Sequence, residues 1–409
     1  MKGYFTPARS KRWLYGLVAV NCIIAFAYLV QYGLFVASGQ TWQADFTSFY
    51  AAWVMVRDGH GAALYSLAAQ AQYQTAILEG RSFADGVLPF LYPPQTALLF
   101  VPLGLLPLAG AYLLWAGWQG VMLVYLLVLL WRSTHGWQRI ERWLVLSTVL
   151  VMPALLINLV LGSFSLWMTI CLLQFVLAFQ RNDDAAAGFW LALGCIKPQL
   201  MLVPCALLLG ARRWRALGSG GGVLAASCLG FERGAGVHIW LDWVRQVGTL
   251  PALFVRDAYN LRGALVLLLG EAALPLATGI TSGLLLLVLA GTIWQGRRIA
   301  AADAAPQALG VGVVLLLGLL VSPHLLAHDT LLVVVPGLLF YSYLRAHAPT
   351  RRGWLVLLVV GYTLLFFSFE PLVEAGWSIR IPVLLLLVLA GWMTYEKRRL
   401  YTRQSATNG

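Results

Sequence analysis

From Trp13 to Val36 the sequence runs for about 24 residues without a charged side chain, the length a helix needs to cross the roughly 30 Å hydrocarbon core of a bilayer. Similar apolar runs recur to the end of the chain. They are punctuated by Arg, Gly, Pro and Trp, at about 13–36, 94–107, 110–131, 143–160, 164–181, 185–209, 216–230, 273–294, 306–321, 325–345, 354–369 and 378–396. In a bilayer every backbone polar group must be satisfied internally, so runs of this kind leave helices as the expected structure. Composition agrees: 60% of the residues are hydrophobic and 11% charged, with a mean hydropathy of +0.78, far from the balance of a soluble domain. The expectation is an all-α polytopic membrane protein with about twelve spans, within a range of 10–13, forming a single integral-membrane domain over 1–409.

The net charge of +12 comes from short clusters between apolar runs rather than from one extended basic face. That pattern encodes topology and argues against nucleic-acid binding. With the basic start of the chain in the cytoplasm and the first run kept as an uncleaved span, Arg212, Arg213 and Arg215 fall inside. So do Arg297 and Arg298, then Arg345, Arg351 and Arg352, and last Lys397, Arg398 and Arg399. Four features then share the outer face: a first loop at 37–93, a long connection at 231–272, the SPH turn at 322–324, and the FEPLVE segment near Glu370. Arg132, Arg139 and Arg142 break the alternation. Either they meet an anion outside, or 94–131 crosses once and 185–209 is a re-entrant hairpin whose arms are too short to span. Both outer loops carry aromatics and short amphipathic stretches, such as "VHIWLDWVRQVGTL", that suit helices lying in the membrane interface.

The five cysteines, Cys22, Cys171, Cys195, Cys205 and Cys228, lie in or beside apolar runs and read as small packing residues without a disulfide or metal pattern.

Few residues can carry chemistry. Asp45 places a carboxylate just beyond the first span; helix capping and a functional role are both open for it. Lys197 puts an ammonium inside an apolar run beside a helix-breaking proline, where it requires water, an anion or a cavity. His324 and His328, four residues apart, would face the same way on one helix. With Asp329 they could supply metal ligands, but no HExxH or DxD element accompanies them and no metal is expected. Tyr92 with Pro93 and Pro94 should make a rigid approach to the next span.

The stretch "DFTSFYAAWVMVRDGHGAALY" followed by "FLYPPQTALLFVPLGLLP" resembles the opening of the polyprenol-phosphate-dependent glycosyltransferases of family 87, which are related to mycobacterial alpha-mannosyltransferases. "GFWLALGCIKPQLMLVP" and "SPHLLAHDTLLVVVP" continue the likeness, and "RDAYNLRGAL" is similar to the family's Asn-containing loop. Two departures stand out: "LGSFSLW" replaces the family's Gly-Gln-x-Asn element, and the paired histidines appear as His328 and Asp329.

The resemblance implies a GT-C-type fold and transfer of a hexose, with mannose one candidate, from a polyprenyl-phosphate sugar to a lipid or glycan acceptor. Transfer would occur at the outer face of a bacterial cytoplasmic membrane, with both termini cytoplasmic. Asp45 would be the general base. Lys197, His328 and Arg262 would hold the donor phosphate, and His324, Asn260, Tyr259 and Tyr92 would add substrate contacts. No cofactor is implied; membrane lipids, donor and acceptor are the partners. Two alternatives remain, a polyprenyl-linked sugar flippase and a non-catalytic subunit of envelope-glycan assembly. Consumption of donor would separate the transferase from both.

Overall fold

The computed structural model describes residues 7–81, 83, 86–236, 238–249, 254–347 and 381–407. Among them there is no strand, only an isolated bridge between Phe83 and Gly86. The helices are α1 (Pro7–Ala37), α2 (Phe46–Arg57), α3 (Leu67–Ile77), α4 (Pro94–Leu99), α5 (Leu108–Ser133), α6 (Arg139–Leu150), α7 (Pro153–Leu161), α8 (Ser165–Gln180) and α9 (Asp184–Gly194). There follow α10 (Pro198–Gly210), α11 (Trp214–Ala235), α12 (His238–Thr249), α13 (Leu261–Leu269), α14 (Leu274–Ala300), α15 (Ala304–Val321), α16 (Val334–His347) and α17 (Ile381–Thr407).

The count of twelve spans is not reproduced. Among the described residues five helical segments are long and apolar enough to cross a membrane: Arg12–Ala37, Leu108–Ser133, Glu271–Ala300, Ala304–Val321 and Ala327–His347. A sixth arises if α6 and α7, which meet at 45°, form one broken span. The reason is local chemistry. The run at 94–107 is α4 and a 3-10 turn, Val101–Leu105, separated at Phe100, with Pro102 and Pro107 unable to donate to a continuing helix. The run at 185–209 breaks at Cys195–Lys197 into α9 and α10, of 11 and 13 residues. At 1.5 Å per residue each arm is only about 16–20 Å long. The expected span at 354–369, the start of the last one and the FEPLVE segment lie outside the described residues.

The chain divides into two compact units. The first comprises Met1–Phe90 and Ala97–Trp167, the second Leu91–Thr96 and Met168–Gly409. In the first, α1 packs on α6 and α7, and α2 packs on α3, α5 and the 101–105 turn. Elsewhere on α1, Ile23, Phe26, Leu29 and Leu34 are exposed, as expected of a lipid-facing surface.

The core of this unit is aromatic. Phe46 stands 5.3 Å from Tyr112 and 5.4 Å from Trp53, and Trp115 is 5.1 Å from both Phe100 and Phe164. Trp53 and Trp115 are therefore core residues. Residues Phe46 through Met55 are all buried, so α2 is a core helix and has no polar face of the kind an interfacial helix needs.

In the second unit α15 is central, packing on α10, α14, α16 and α17. Leu309, Val313, Leu316 and Leu320 form one cluster with Phe340, Tyr343 and Leu344 of α16 and Val383, Leu386, Ala390 and Met393 of α17. α9 and α11 touch through glycine: a Cβ on Gly188 would sit 2.1 Å from the Ala216 carbonyl oxygen, closer than any side chain allows. The "GSGGG" stretch thus lies inside a helix, with Gly220 against Gly188, and small residues let the backbones meet.

Gly210 at the end of α10 meets Gly296 near the end of α14 in the same way, and Lys397 of α17 donates to the Gln295 amide. Three basic clusters, at 212–215, 297–298 and 397–399, are thereby gathered at one end of this unit. Lys197 lies at the other end of α10, about 20 Å away by helix rise.

Candidate active site

Asp45 occupies the position before α2. Its side chain makes no capping hydrogen bond to the first turn; its carbonyl accepts from Ser48 N–H at 3.0 Å and Ser48 Oγ at 2.8 Å. The capping reading of Asp45 is therefore not what the carboxylate does. Phe46, fully buried among the aromatics, and Thr47, whose Oγ1 donates to the Trp42 carbonyl at 2.7 Å, fix the backbone on which the partly exposed carboxylate stands. The amino end of α2 favours its negative charge.

At the other end of α2, Arg57 donates to Asp58 at 2.7 Å and also bonds the Gly104 carbonyl. That guanidinium holds the Asp58 carboxyl below the usual carboxylate range. His60 shares a 2.8 Å hydrogen bond with the Tyr73 hydroxyl.

Two glutamines one turn apart on α3 secure the chain that leads into Leu91 and Tyr92. Gln70 accepts from Phe90 N–H at 2.9 Å, and Gln74 both accepts from Leu88 N–H and donates to the Leu88 carbonyl. Nothing in a single sequence marks these amides as partners of a segment 14–20 residues on.

The first unit also holds a buried amide cluster. Asn158 Nδ2 donates to Gln119 Oε1 at 2.7 Å, and Asn158 Oδ1 accepts from Ser163 Oγ at 3.0 Å and Leu166 N–H at 3.2 Å. These bonds satisfy the break between α7 and α8, where Gly162 takes the left-handed conformation (φ 70°) and its carbonyl accepts from Trp115 Nε1. Arg142 lies flat on the Trp131 ring, 3.4 Å from its centroid, and donates to the Trp131 carbonyl at 2.7 Å. It thereby satisfies the end of α5, a structural use for one member of the discordant arginine cluster.

In the second unit Lys197 stands at the break between α9 and α10. Pro198 keeps its predecessor out of the helical region and is itself well suited to a first helical position, so the sequence forces the interruption at this residue. Lys197 is 5% exposed. Its Nζ donates to Asp329 Oδ1 at 2.6 Å and stands 3.4 Å from His328 Nε2, while the Tyr92 ring centroid is 5.6 Å away.

Asp329 is fully buried, and its second oxygen accepts from Leu326 N–H at 3.2 Å. The sequence suggested Asp329 only as a metal ligand; here it is the counterion of Lys197. A buried ammonium demands such a partner, and that demand is the signal in the sequence that could have led to it. Among the described residues no group of three His, Cys, Asp or Glu side chains could hold a metal ion.

His324 and His328 do not share a helix. Residues 322–326 form an irregular link and a 3-10 turn begins at Ala327, so the helical spacing argument fails. The link is pinned from α13: Tyr259 N–H donates to the Leu325 carbonyl at 2.6 Å, and Asn260 Nδ2 to the Ser322 carbonyl at 2.7 Å while its Oδ1 caps Gly263 N–H. Arg262, in the first turn of α13, is buried and within electrostatic reach of His324. Burial outweighs the pull of Asp329 and lowers the His324 pKa to about 4. The structure thus brings Lys197, His324, His328, Asp329, Arg262 and Tyr92 together in one unit, with Tyr259 and Asn260 as ties. Asp45 belongs to the other.

A family model for glycosyltransferase family 87 matches residues 90–323, more than half of the 409 residues. The chain belongs to glycosyltransferase family 87. The matched segment contains Tyr92, Lys197, Tyr259, Asn260 and Arg262, and ends one residue before His324. No curated protein and no solved structure matches the chain. Family 87 membership makes this helical, membrane-type protein a glycosyltransferase.

Proposed function

We propose that the protein transfers a hexose, mannose being the first to test, from a polyprenyl-phosphate sugar to a lipid or glycan acceptor at the outer face of the cytoplasmic membrane. The observation that carries the reading is a family 87 chain holding an ammonium, Lys197, at a helix break inside apolar sequence.

In this reading the acceptor hydroxyl attacks the anomeric carbon and its proton passes to Asp45. A new bond forms between the acceptor oxygen and that carbon, the bond from carbon to phosphate oxygen breaks, and the polyprenyl phosphate leaves with the electron pair. Direct displacement inverts the anomeric centre.

In the same reading Lys197, His328 and Arg262 hold the leaving phosphate. Lys197 has three N–H bonds; Asp329, the neighbouring His328 and the Tyr92 hydroxyl occupy them, and a phosphate oxygen would take the place of one of these partners. Asp329 neutralises the ammonium in the unliganded protein, and Arg262 adds positive charge beside His324. Such fixed groups stabilise developing charge without reorganising.

The outer-face assignment is supported by the three basic clusters gathered at the end of the second unit remote from Lys197, since arginine and lysine favour the cytoplasmic side. The test is transfer by the purified protein in nanodiscs from a panel of radiolabelled polyprenyl-phosphate hexoses to total membrane lipid, with Asp45→Asn alongside. The reading expects labelled product from wild type and at least a hundredfold less from the variant. Donor that binds but is never consumed would overturn it in favour of a flippase or an assembly subunit.

A further inference from the structure

α12 is two-sided. Ile239 and Gln246 are buried, whereas Leu241 and Val244 are exposed at 61% and 58%, and the Arg245 side chain is 76% exposed. From its inner side Trp243 reaches across 152 positions of sequence: the indole Nε1–H donates to the Leu91 carbonyl at 3.1 Å. Leu91 is joined to Tyr92, the residue whose ring lies against the Lys197 ammonium. Beyond Tyr92 the chain is stiff, because Pro93 and Pro94 fix their own backbone and restrict their predecessors.

Tyr92 therefore stands between the proline pair on one side and, on the other, a backbone tied by Gln74 at Leu88, by Gln70 at Phe90 and by Trp243 at the Leu91 carbonyl. Of these ties the one at Leu91 is next to Tyr92, and its donor is the most distant in sequence.

We infer that Trp243 is a positioning residue: by holding the Leu91 carbonyl it sets the Tyr92 ring over the Lys197 ammonium, so that α12 governs the geometry of the cationic site. The ammonium stands 5.6 Å from the Tyr92 ring centroid and also hydrogen-bonds the Tyr92 side chain, so both contacts depend on where the Leu91–Tyr92 backbone places that side chain. A small rotation of the Leu91–Tyr92 peptide releases them. Lys197 then turns wholly to Asp329 and His328, and the orientation of its remaining N–H bond is no longer set. The consequence for donor binding rests on the function proposed above; the positioning itself does not.

The experiment places 3-fluorotyrosine at position 92 of the full chain in nanodiscs and follows its fluorine resonance. The double variant Lys197→Met/Asp329→Asn, which removes both charges, calibrates the frequency of a ring that has lost its cation. Trp243→Phe deletes the N–H and keeps an aromatic ring, though a smaller one; Leu241→Ser, on the exposed side of the same helix, is the control. The expected result is that Trp243→Phe moves the resonance toward the calibrating variant or splits it, with thermal unfolding of all variants but the double one close to wild type, while Leu241→Ser leaves it in place. A Trp243→Phe resonance identical to wild type in frequency and width would overturn the inference.

Transfer kinetics supply the second readout: Trp243→Phe should raise the donor KM about tenfold with kcat within twofold. A shifted resonance in a protein that transfers nothing would sink the proposed function and leave the positioning role standing. An unshifted resonance with normal kinetics would do the reverse.

Discussion

The Lys197 ammonium and the Asp329 carboxylate are 2.6 Å apart, with side chains 6% and 0% exposed. They join the start of α10 to the 3-10 turn before α16, with His328 at 3.4 Å from the ammonium. Such a pair costs much of its Coulomb energy in desolvation, so it is weak evidence for a stabilising role; under the proposed function its place is beside the leaving phosphate.

Removing one partner should therefore be worse than removing both. Lys197→Met leaves Asp329 buried without its cation, and a loss of roughly 3–5 kcal/mol is expected. Lys197→Met/Asp329→Asn, which retains an oxygen for Leu326 N–H, should recover most of it. Denaturation midpoints in detergent measure the stability and donor consumption measures the activity. The double variant is expected to be folded and inactive; full activity in it would remove the pair from the reaction.

The contact between α9 and α11 predicts opposite outcomes for two neighbouring glycines. Gly188→Ala drives a Cβ to 2.1 Å from a backbone oxygen, which cannot yield as a side-chain tip would, so the helices must separate. A loss of about 2 kcal/mol or more is expected, as for other overpacked sites. Gly218→Ala on α11 meets nothing within 4 Å and should gain up to about 1 kcal/mol of helix propensity. Thermal unfolding of the two variants, side by side, is the measurement.

Much of this was legible in the sequence because it is local. Apolar runs announced a helical membrane protein, and Lys197-Pro198 announced an interruption with a charge in it. Length alone could not reveal which runs are continuous: those at 94–107 and 185–209 match spans in composition but are divided near their prolines. Partners were also hidden. Asp329 is 132 residues from Lys197, and nothing in its neighbourhood distinguishes a counterion from a metal ligand. The amides of Gln70, Gln74, Gln119 and Asn158 are ordinary polar residues until the fold gives them partners. The helical spacing of His324 and His328 failed because the Ser322–Pro323 link ends α15 before either histidine.

Asn158 should be coupled to Gln119. Asn158→Leu leaves Gln119 Oε1, Ser163 Oγ and Leu166 N–H without the bonds they make in the native protein. A buried group that loses its partner costs about 1–3 kcal/mol. Adding Gln119→Met removes one of the stranded groups, so the double variant should be more stable than Asn158→Leu alone. Additive losses in the double-mutant cycle would show that the two amides do not act together.

Acid should weaken the protein through His324. Its pKa is about 4 in the folded protein because burial disfavours the charged ring, against about 6.5 when unfolded. Above pH 6.5 both states hold a neutral ring and the residue contributes no pH dependence. Below it the unfolded chain takes up the proton first, so stability falls with pH until the folded ring also protonates near pH 4, where the fall ends. The sign follows from the unfolded state binding more protons across this window, and the total is on the order of 3 kcal/mol. His324→Asn retains polarity but cannot titrate. The difference in unfolding temperature between wild type and His324→Asn should therefore change steadily between pH 6.5 and 4, at the expense of wild type, and be flat above pH 7. Parallel curves throughout would mean that His324 is charged, or neutral, to the same degree in both states.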